Sequence, residues 1–378
     1  MPSVDRQPFT PASGLPRPRH APVAAAAAYA GAPAGVRVRA GARHRRAERS
    51  PDAGVSPANA GPGNAGPADA GPADACQARG GPPRHESRSA AQSPLEQDRD
   101  DAYCVAFSPD GRLLASGGWG RPVRVREVAT GRLVRELRAL GLSAYGVAIS
   151  PDGRLLATAG RDGSVGLCEL ARGKKIRTRK PGEAAVRAVA FSPDGQLLAS
   201  GHADGVLRVW EGPALDRVRE LKMKAETIFD LAFSPDGALI ATACGDGAVR
   251  VWDAVSGALV SALRCHTGWA TGVAFSRDGV MLTSSGADGA VALHDVGSGT
   301  YVHVLRSGGG IVNAMALSPD GALLAAAYEN GTIAVWELAT GGHEFWRVHS
   351  GFVTDVVFSP SERLLASAGK DGTVRLWR

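Results

Sequence analysis

The chain has 378 residues, of which 44% are apolar, and it carries a formal net charge of +6. This length allows one large domain or two to three average ones. No run of 18 apolar residues occurs, so the sequence predicts no membrane-spanning segment and no membrane partner.

Residues 1–88 differ in composition from the rest and are predicted to form a disordered arm. Ala, Gly, Pro and Arg dominate this stretch, which cannot bury enough apolar surface to offset the entropy of ordering it. Residues 1–99 contain 13 cationic and 8 anionic side chains, so most of the net charge lies there. Such an arm can contact nucleic acid or another acidic surface. Alternatively, it is a solubilising tail without a fixed partner.

The cysteines are odd in number and far apart, and no Cys-x-x-Cys occurs. They are Cys76, Cys104, Cys168, Cys244 and Cys265. This spacing indicates neither a disulfide framework nor a zinc site, and it favours a reducing compartment. We therefore expect a cytoplasmic protein.

A turn motif recurs through the rest of the chain at nearly constant spacing. Ser-Pro-Asp-Gly or a variant begins at seven positions, and successive starts are 42 residues apart, or 41 in the last case. The serines that open these turns are Ser108, Ser150, Ser192, Ser234, Ser276, Ser318 and Ser359. Seven copies in one register predict seven copies of one structural unit.

Each unit has the pattern of four short strands. In the third unit, the apolar run 189–191 leads into the Pro-Asp-Gly turn, and a second run, 197–200, follows it. An Asp-Gly turn at Asp204 precedes a third run, Val206–Trp210, and a more polar fourth run completes the unit. One such sheet buries little, whereas radial repetition buries both its faces. The sequence therefore predicts an all-β fold, a seven-bladed β-propeller of four-stranded antiparallel blades at residues 89–378.

From residue 100 to residue 378 the chain resembles the WD-repeat β-propeller family. The resemblance implies a structural network in each blade, made by a His before the first strand, a Ser or Thr on the second, the Asp of the second turn and a Trp on the third. The last blade has all four types, as His349, Ser367, Asp371 and Trp377. Partial sets are Ser200, Asp204 and Trp210 in blade three, Thr242, Asp246 and Trp252 in blade four, and His266, Ser284 and Asp288 in blade five. Blades three and four lack the histidine, and blade one is the most eroded.

The two ends of the ring are expected to meet through a closing strand. In this family, the segment before blade one supplies the outer strand of the last blade, and by register that segment is 89–99. It offers only Leu95 as an apolar anchor, and Pro94 removes a hydrogen-bond donor. We therefore expect this strand to be weakly held.

No motif for nucleotide binding, metalloprotease chemistry or a hydrolase nucleophile occurs in the chain. His266 and His294 fall near Cys265 and Asp288, but they lack the ligand spacing of a zinc site and are interpreted as structural. The sequence thus predicts no enzyme activity, no cofactor and no metal.

The family resemblance places candidate binding residues on one face of the ring. In WD-repeat proteins, partners usually dock where the second-to-third-strand turns and the connections between blades emerge. The positions seven and five residues before each turn serine, and the residue before the turn Asp, are expected to project there. The candidates are Tyr103, Trp119, Tyr145, Arg161, Arg187, Phe229, Trp269, Asn313, Phe352 and Lys370. Aromatic and Arg side chains on a rim are typical of interaction hot spots; alternatively, some of them fill the top of the channel or cover blade edges.

These observations favour a non-catalytic scaffold that binds proteins or peptides, as a monomeric ring within a multi-subunit assembly or signalling pathway. A first alternative is a nucleic-acid-associated protein that uses the basic arm, since nucleic acid is expected to bind only there. A second alternative is a propeller enzyme.

Overall fold

The computed structural model describes residues 95–97, 100–140, 143–212, 214–222 and 226–378. Within these ranges lie 28 strands in seven four-stranded antiparallel sheets, and one short 3-10 helix at Arg138–Leu140. The prediction of an all-β propeller with seven four-stranded blades is confirmed. The predicted arm at 1–88 lies outside the described residues. None of the helical structure in the described ranges is long and apolar enough to span a membrane.

Blades one to four follow one another along the chain, and each sheet keeps its strands in sequence order. Their strands are β2 (Ala102–Phe107), β3 (Leu113–Gly118), β4 (Val123–Glu127) and β5 (Leu133–Leu137); β6 (Ala144–Ile149), β7 (Leu155–Gly160), β8 (Val165–Glu169) and β9 (Lys175–Arg179); β10 (Val186–Phe191), β11 (Leu197–His202), β12 (Val206–Glu211) and β13 (Asp216–Lys222); β14 (Ile228–Phe233), β15 (Leu239–Cys244), β16 (Ala248–Asp253) and β17 (Leu259–Arg264).

Blades five and six have the same order, whereas blade seven takes its outer strand from the other end of the ring. The strands are β18 (Ala270–Phe275), β19 (Met281–Gly286), β20 (Ala290–Asp295) and β21 (Tyr301–Arg306); β22 (Val312–Leu317), β23 (Leu323–Tyr328), β24 (Thr332–Glu337) and β25 (His343–Arg347); β26 (Val353–Phe358), β27 (Leu365–Gly369), β28 (Thr373–Trp377) and the outer strand β1 (Glu96–Gln97).

Apolar clusters lie between neighbouring blades rather than inside a single sheet. Each of the seven blade interfaces in the described ranges has its own cluster of buried residues. The second strand of each blade is the most buried, as in β11, where Leu198 and Ala199 are fully buried. Small side chains on these strands let the sheets approach closely, so every blade is stabilised by both of its neighbours.

The seam between blades seven and one has only a short closing strand. Glu96 pairs with Val374 and Gln97 with Thr373, so β1 is two residues long, and the outer strands of the other blades have five to seven. Leu95 packs against the apolar cluster of the seam. The remainder of the segment 89–99 lies outside the described residues.

First-strand side chains also join the blades across this seam. The hydroxyl of Thr354 donates to the carbonyl oxygen of Ala102 over 2.6 Å. The backbone N–H of Val105 donates to Oδ2 of Asp355 over 2.9 Å. Ring closure therefore rests on buried first-strand contacts as well as on β1.

The structural network is complete in blade seven. His349 lies with Nδ1 2.9 Å from Oδ1 of Asp371 and with Nε2 2.8 Å from the hydroxyl oxygen of Ser367. The indole N–H of Trp377 donates to the same hydroxyl oxygen over 3.0 Å. Blade five repeats the first two contacts at 3.0 and 2.9 Å. Burial lowers the pKa of His349, so the imidazole is neutral at neutral pH.

Blade three obtains its imidazole from a position that the family pattern does not indicate. Nε2 of His202, at the end of the second strand, lies 2.9 Å from the hydroxyl of Ser200. Blade seven has Gly369 at the equivalent position, where a Cβ atom would lie only 2.5 Å from Nδ1 of His349. The two imidazoles thus occupy equivalent places, but His349 comes from the connection before the first strand and His202 from the end of the second strand.

We expect His202→Ala and His349→Ala each to destabilise the protein by about 1–3 kcal/mol, because each leaves a buried serine hydroxyl with one partner fewer. The free energy of unfolding from urea titrations measures this change. His303→Ala, in an exposed part of β21, is the matched control and is expected to stay within about 0.5 kcal/mol of the wild type. A His202→Ala variant as stable as the control would contradict the assignment.

Candidate functional site

The first strand of every blade contains a β-bulge at the same register position. In blade three, Val186 pairs with His202 and Ala188 with Gly201, so Arg187 is the extra residue. The seven bulged residues are Tyr103, Tyr145, Arg187, Phe229, Thr271, Asn313 and Thr354. A bulge redirects a side chain out of the regular pleat. All seven side chains consequently line the mouth of the central channel.

Blades five to seven use this position to bind the next blade. Each polar side chain donates to the carbonyl oxygen of the first residue of the neighbouring first strand. The pairs are Thr271 to Val312 at 2.5 Å, Asn313 to Val353 at 2.8 Å and Thr354 to Ala102 at 2.6 Å. The amide donor of Asn313, a predicted binding residue, is therefore already engaged within the ring.

Blades one to four present large side chains at the same position, and these contact one another. The rings of Tyr103 and Tyr145 have centroids 5.6 Å apart. The guanidinium carbon of Arg187 lies 4.6 Å from the centroid of Tyr145 and 5.7 Å from that of Phe229. Trp269 stacks on Phe229 with centroids 5.6 Å apart and planes at 25°.

Two residues from the turns between the second and third strands of blades one and two continue this series from Tyr103. The ring of Trp119 lies edge-on to Tyr103 at 6.5 Å, and the guanidinium of Arg161 covers Trp119 at 3.6 Å. We call the continuous set of seven side chains the aromatic arc: Arg161, Trp119, Tyr103, Tyr145, Arg187, Phe229 and Trp269. Across the mouth, the ammonium of Lys370 lies 4.5 Å from the ring centroid of Phe352.

The mouth opens into a basin of about 470 Å³. Eight of the ten predicted binding residues line it, and Trp119 and Arg161 adjoin it through Tyr103. Trp119, Trp269 and Phe352 remain 40%, 53% and 42% exposed. Exposed aromatic rings held against cations are characteristic of interaction surfaces.

Two aspartates line the channel below the mouth, and they were not among the candidates from sequence. Oδ2 of Asp230 accepts from the N–H of Val273 at 3.0 Å, and Asp355 makes the equivalent contact with Val105. Burial raises the pKa of Asp230 to about 6 and that of Asp355 to about 7. The available signal was a lone Asp within an apolar strand, one residue after each bulge.

The seven blades, with the buried Ser-centred networks of blades three, five and seven, define a WD-repeat β-propeller. Residues 343–378 match the family model described as WD domain, G-beta repeat. Residues 85–337, more than half of the chain, match the model described as IFT122 first beta-propeller. The chain therefore belongs to the IFT122 first beta-propeller family, whose fold is generally a scaffold for protein interactions. No curated protein matches the chain in a sequence search.

We expect the stability advantage of the wild type over Asp355→Asn to decrease as the pH rises from about 4 to about 7. The pKa of Asp355 is raised from 3.8 to about 7 in the folded protein, so the folded state holds the proton more tightly than the unfolded state over this window. That stabilisation is complete below pH 4 and is lost as the carboxyl ionises. Urea unfolding at a series of pH values measures the difference.

Asp320→Asn is the control for this experiment. A hydrogen bond from Ser318 lowers the pKa of this exposed turn aspartate from its ordinary value of 3.8, so its titration lies below the pH range in which Asp355 titrates. The difference between wild type and this variant should stay constant from about pH 5 to about pH 8. A constant or increasing difference for Asp355→Asn would contradict the raised pKa.

Proposed function

We propose that the propeller is a non-catalytic platform that binds a protein or peptide at the mouth, as one subunit of a larger assembly. The observation that supports this most strongly is the aromatic arc. Its members come from five different blades, yet their rings and cations form one uninterrupted series around half of the mouth. Rigid aromatic side chains in such a series supply contact area at low entropic cost.

We propose that the propeller is not catalytic because the group of residues that most resembles an active site is buried. Ser367, His349 and Asp371 have the spacing of a catalytic triad, with contacts of 2.8 and 2.9 Å. Ser367 is fully buried, however, and its hydroxyl also accepts from the indole of Trp377. A substrate cannot reach this oxygen, which supports a structural role for the network.

The cysteines support the proposal of a reducing, cytoplasmic compartment. Cys104, Cys168, Cys244 and Cys265 carry free thiols, and the first three are buried. Burial raises the pKa of Cys168 to about 11, so its thiol is unreactive at neutral pH. Cys76 lies outside the described residues. We further propose that the ring acts as a monomer.

We expect the double variant Trp269→Ala, Tyr145→Ala to lose most of the proteins that the full-length wild type captures from a cell extract, because it interrupts the aromatic arc at two points. Loss of one hot-spot ring typically costs 2 kcal/mol or more, about a thirtyfold loss of affinity. Quantitative mass spectrometry of the captured proteins measures the effect. Tyr301→Ala is the control, since Tyr301 is also 53% exposed but lies on the outer strand of blade five.

Unchanged capture by the double variant would refute binding at the mouth.

Deletion of residues 1–88 tests the alternative function, nucleic acid binding by the basic arm. The basic arm is the functional element if two results are found together. The full-length protein binds nucleic acid with an affinity that falls steeply with salt and loses this binding on deletion of the arm, and its capture of proteins does not depend on Trp269.

A further inference from the structure

The cations at the mouth lack carboxylate partners. Arg161, Arg187 and Lys370 each lie over an aromatic ring, and none forms an ion pair with a carboxylate of the described residues. Nε of Arg187 is buried without a hydrogen-bond acceptor. Arginines on the outer strands differ, as Arg177 and Arg179 both pair with Asp216. The mouth therefore offers donors that the ring itself does not satisfy.

The carboxylates of the mouth already accept hydrogen bonds from the ring. Oε1 of Glu329 accepts from the N–H of Ile311 at 3.2 Å, and Oδ2 of Asp101 accepts from the hydroxyl of Tyr103 at 3.3 Å. Deeper in the channel, both oxygens of Asp230 and of Asp355 accept backbone N–H groups. The hydrogen-bonding capacity left at the mouth is thus mainly that of its cations.

The turn aspartates on the same face are also engaged. Asp246 accepts from Arg250 at 3.0 and 2.5 Å, and Asp204 lies 3.8 Å from Arg208. Asp288 and Asp371 contact the histidines of their blades, and Asp162 accepts from Ser164. These turn aspartates are therefore paired with a cation or hydrogen-bonded within their own blades.

Three more cations extend the unpaired positive charge outward from the basin. Arg264, Arg306 and Arg347 are the last residues of the outer strands of blades four, five and six. All three are exposed, and Arg306 donates to the carbonyl oxygen of Asp288 over 2.9 Å. Because the outer strand of a blade ends on the same face as the start of the next first strand, these arginines add positive charge to the outer rim of that face.

We propose that the mouth binds an acidic peptide segment, in which carboxylates alternate with large apolar side chains. This inference rests on the proposed function and specifies the chemistry of the partner. The apolar side chains pack against Trp269, Phe229 and Phe352, while the carboxylates accept hydrogen bonds from Arg187, Arg161 and Lys370. The basic arm of this chain does not suit the site, because residues 1–99 of the chain, which include it, carry 13 cationic against 8 anionic groups.

A single-stranded nucleic acid is the other polyanion that could stack on aromatic rings. The observations favour a peptide, because the carboxyl groups of Glu329 at the mouth and Asp230 in the channel would repel a continuous phosphate backbone. A peptide can place its few carboxylates beside the cations and leave the acidic channel empty.

The test uses full-length protein and three fluorescein-labelled synthetic peptides that share their length and their Leu and Phe positions. Glu, Gln or Lys occupies all other positions. Fluorescence anisotropy measures the affinities. We expect the Glu peptide to bind about tenfold more tightly than the Gln peptide and the Lys peptide not to bind. Binding of the Glu peptide should weaken at higher salt. Equal binding of the Glu and Gln peptides, or no binding of any peptide, would overturn the proposal.

Variants and a second ligand identify the site and the polymer. Arg187→Gln, Lys370→Gln and Arg161→Gln should each weaken binding of the Glu peptide about tenfold. Arg161 is exposed, so the loss of its charge cannot affect folding strongly. Arg177→Gln, on the outer edge, is the control and should change nothing. Unaltered affinity in all three mouth variants, or tighter binding of an oligothymidylate than of the Glu peptide, would refute the acidic-peptide site.

Failure here is distinguishable from failure of the proposed function. If the Glu peptide does not bind, while Trp269→Ala with Tyr145→Ala still abolishes protein capture, the mouth binds a partner of different chemistry and only this inference fails. If the double variant also leaves capture unchanged, both proposals fail.

Discussion

Every sheet of this propeller depends on its neighbours to bury its two faces. The apolar clusters lie between blades, and each buried second strand contributes to the packing on both of its sides. A blade therefore cannot be stable alone, and the ring must close at the seam between blades seven and one. The two-residue strand β1 closes the outer edge of that seam, but Thr354 and Asp355 hold its inner side through partly buried hydrogen bonds.

The same requirement explains why the networks of individual blades can differ. A niche beside the second strand must be filled, but the side chain that fills it can come from different positions. His349 fills it from the connection before the first strand, and His202 fills it from the second strand itself. In blade six, the fully buried Tyr328 is at the position that corresponds to His202, and it packs against Gly309. The packing beside the second strand is therefore maintained in blades three and six, although these blades lack the histidine of the family pattern.

The β-bulge of the first strand connects this rigid ring to the proposed binding surface. It places one residue of each blade at the mouth without disturbing the ladder on either side. In three blades that residue is small and polar and joins the next blade. In four blades it is large, and Tyr103, Tyr145, Arg187 and Phe229 form the centre of the aromatic arc. One half of the mouth serves ring stability, and the other half forms the surface that we propose for recognition.

The sequence determined the number of blades and their strands. Seven repeats of nearly constant length, each with turn residues at the same offsets, predict seven copies of one four-stranded unit. It also indicated the mouth positions, through their fixed distance from each turn serine. Only the tertiary structure decided that Asn313 bonds to the next blade, that Arg187 lies between two rings, and that Asp230 and Asp355 line the channel. These contacts join different blades, and local propensity and periodicity carry no information about which side chains meet across an interface between repeats.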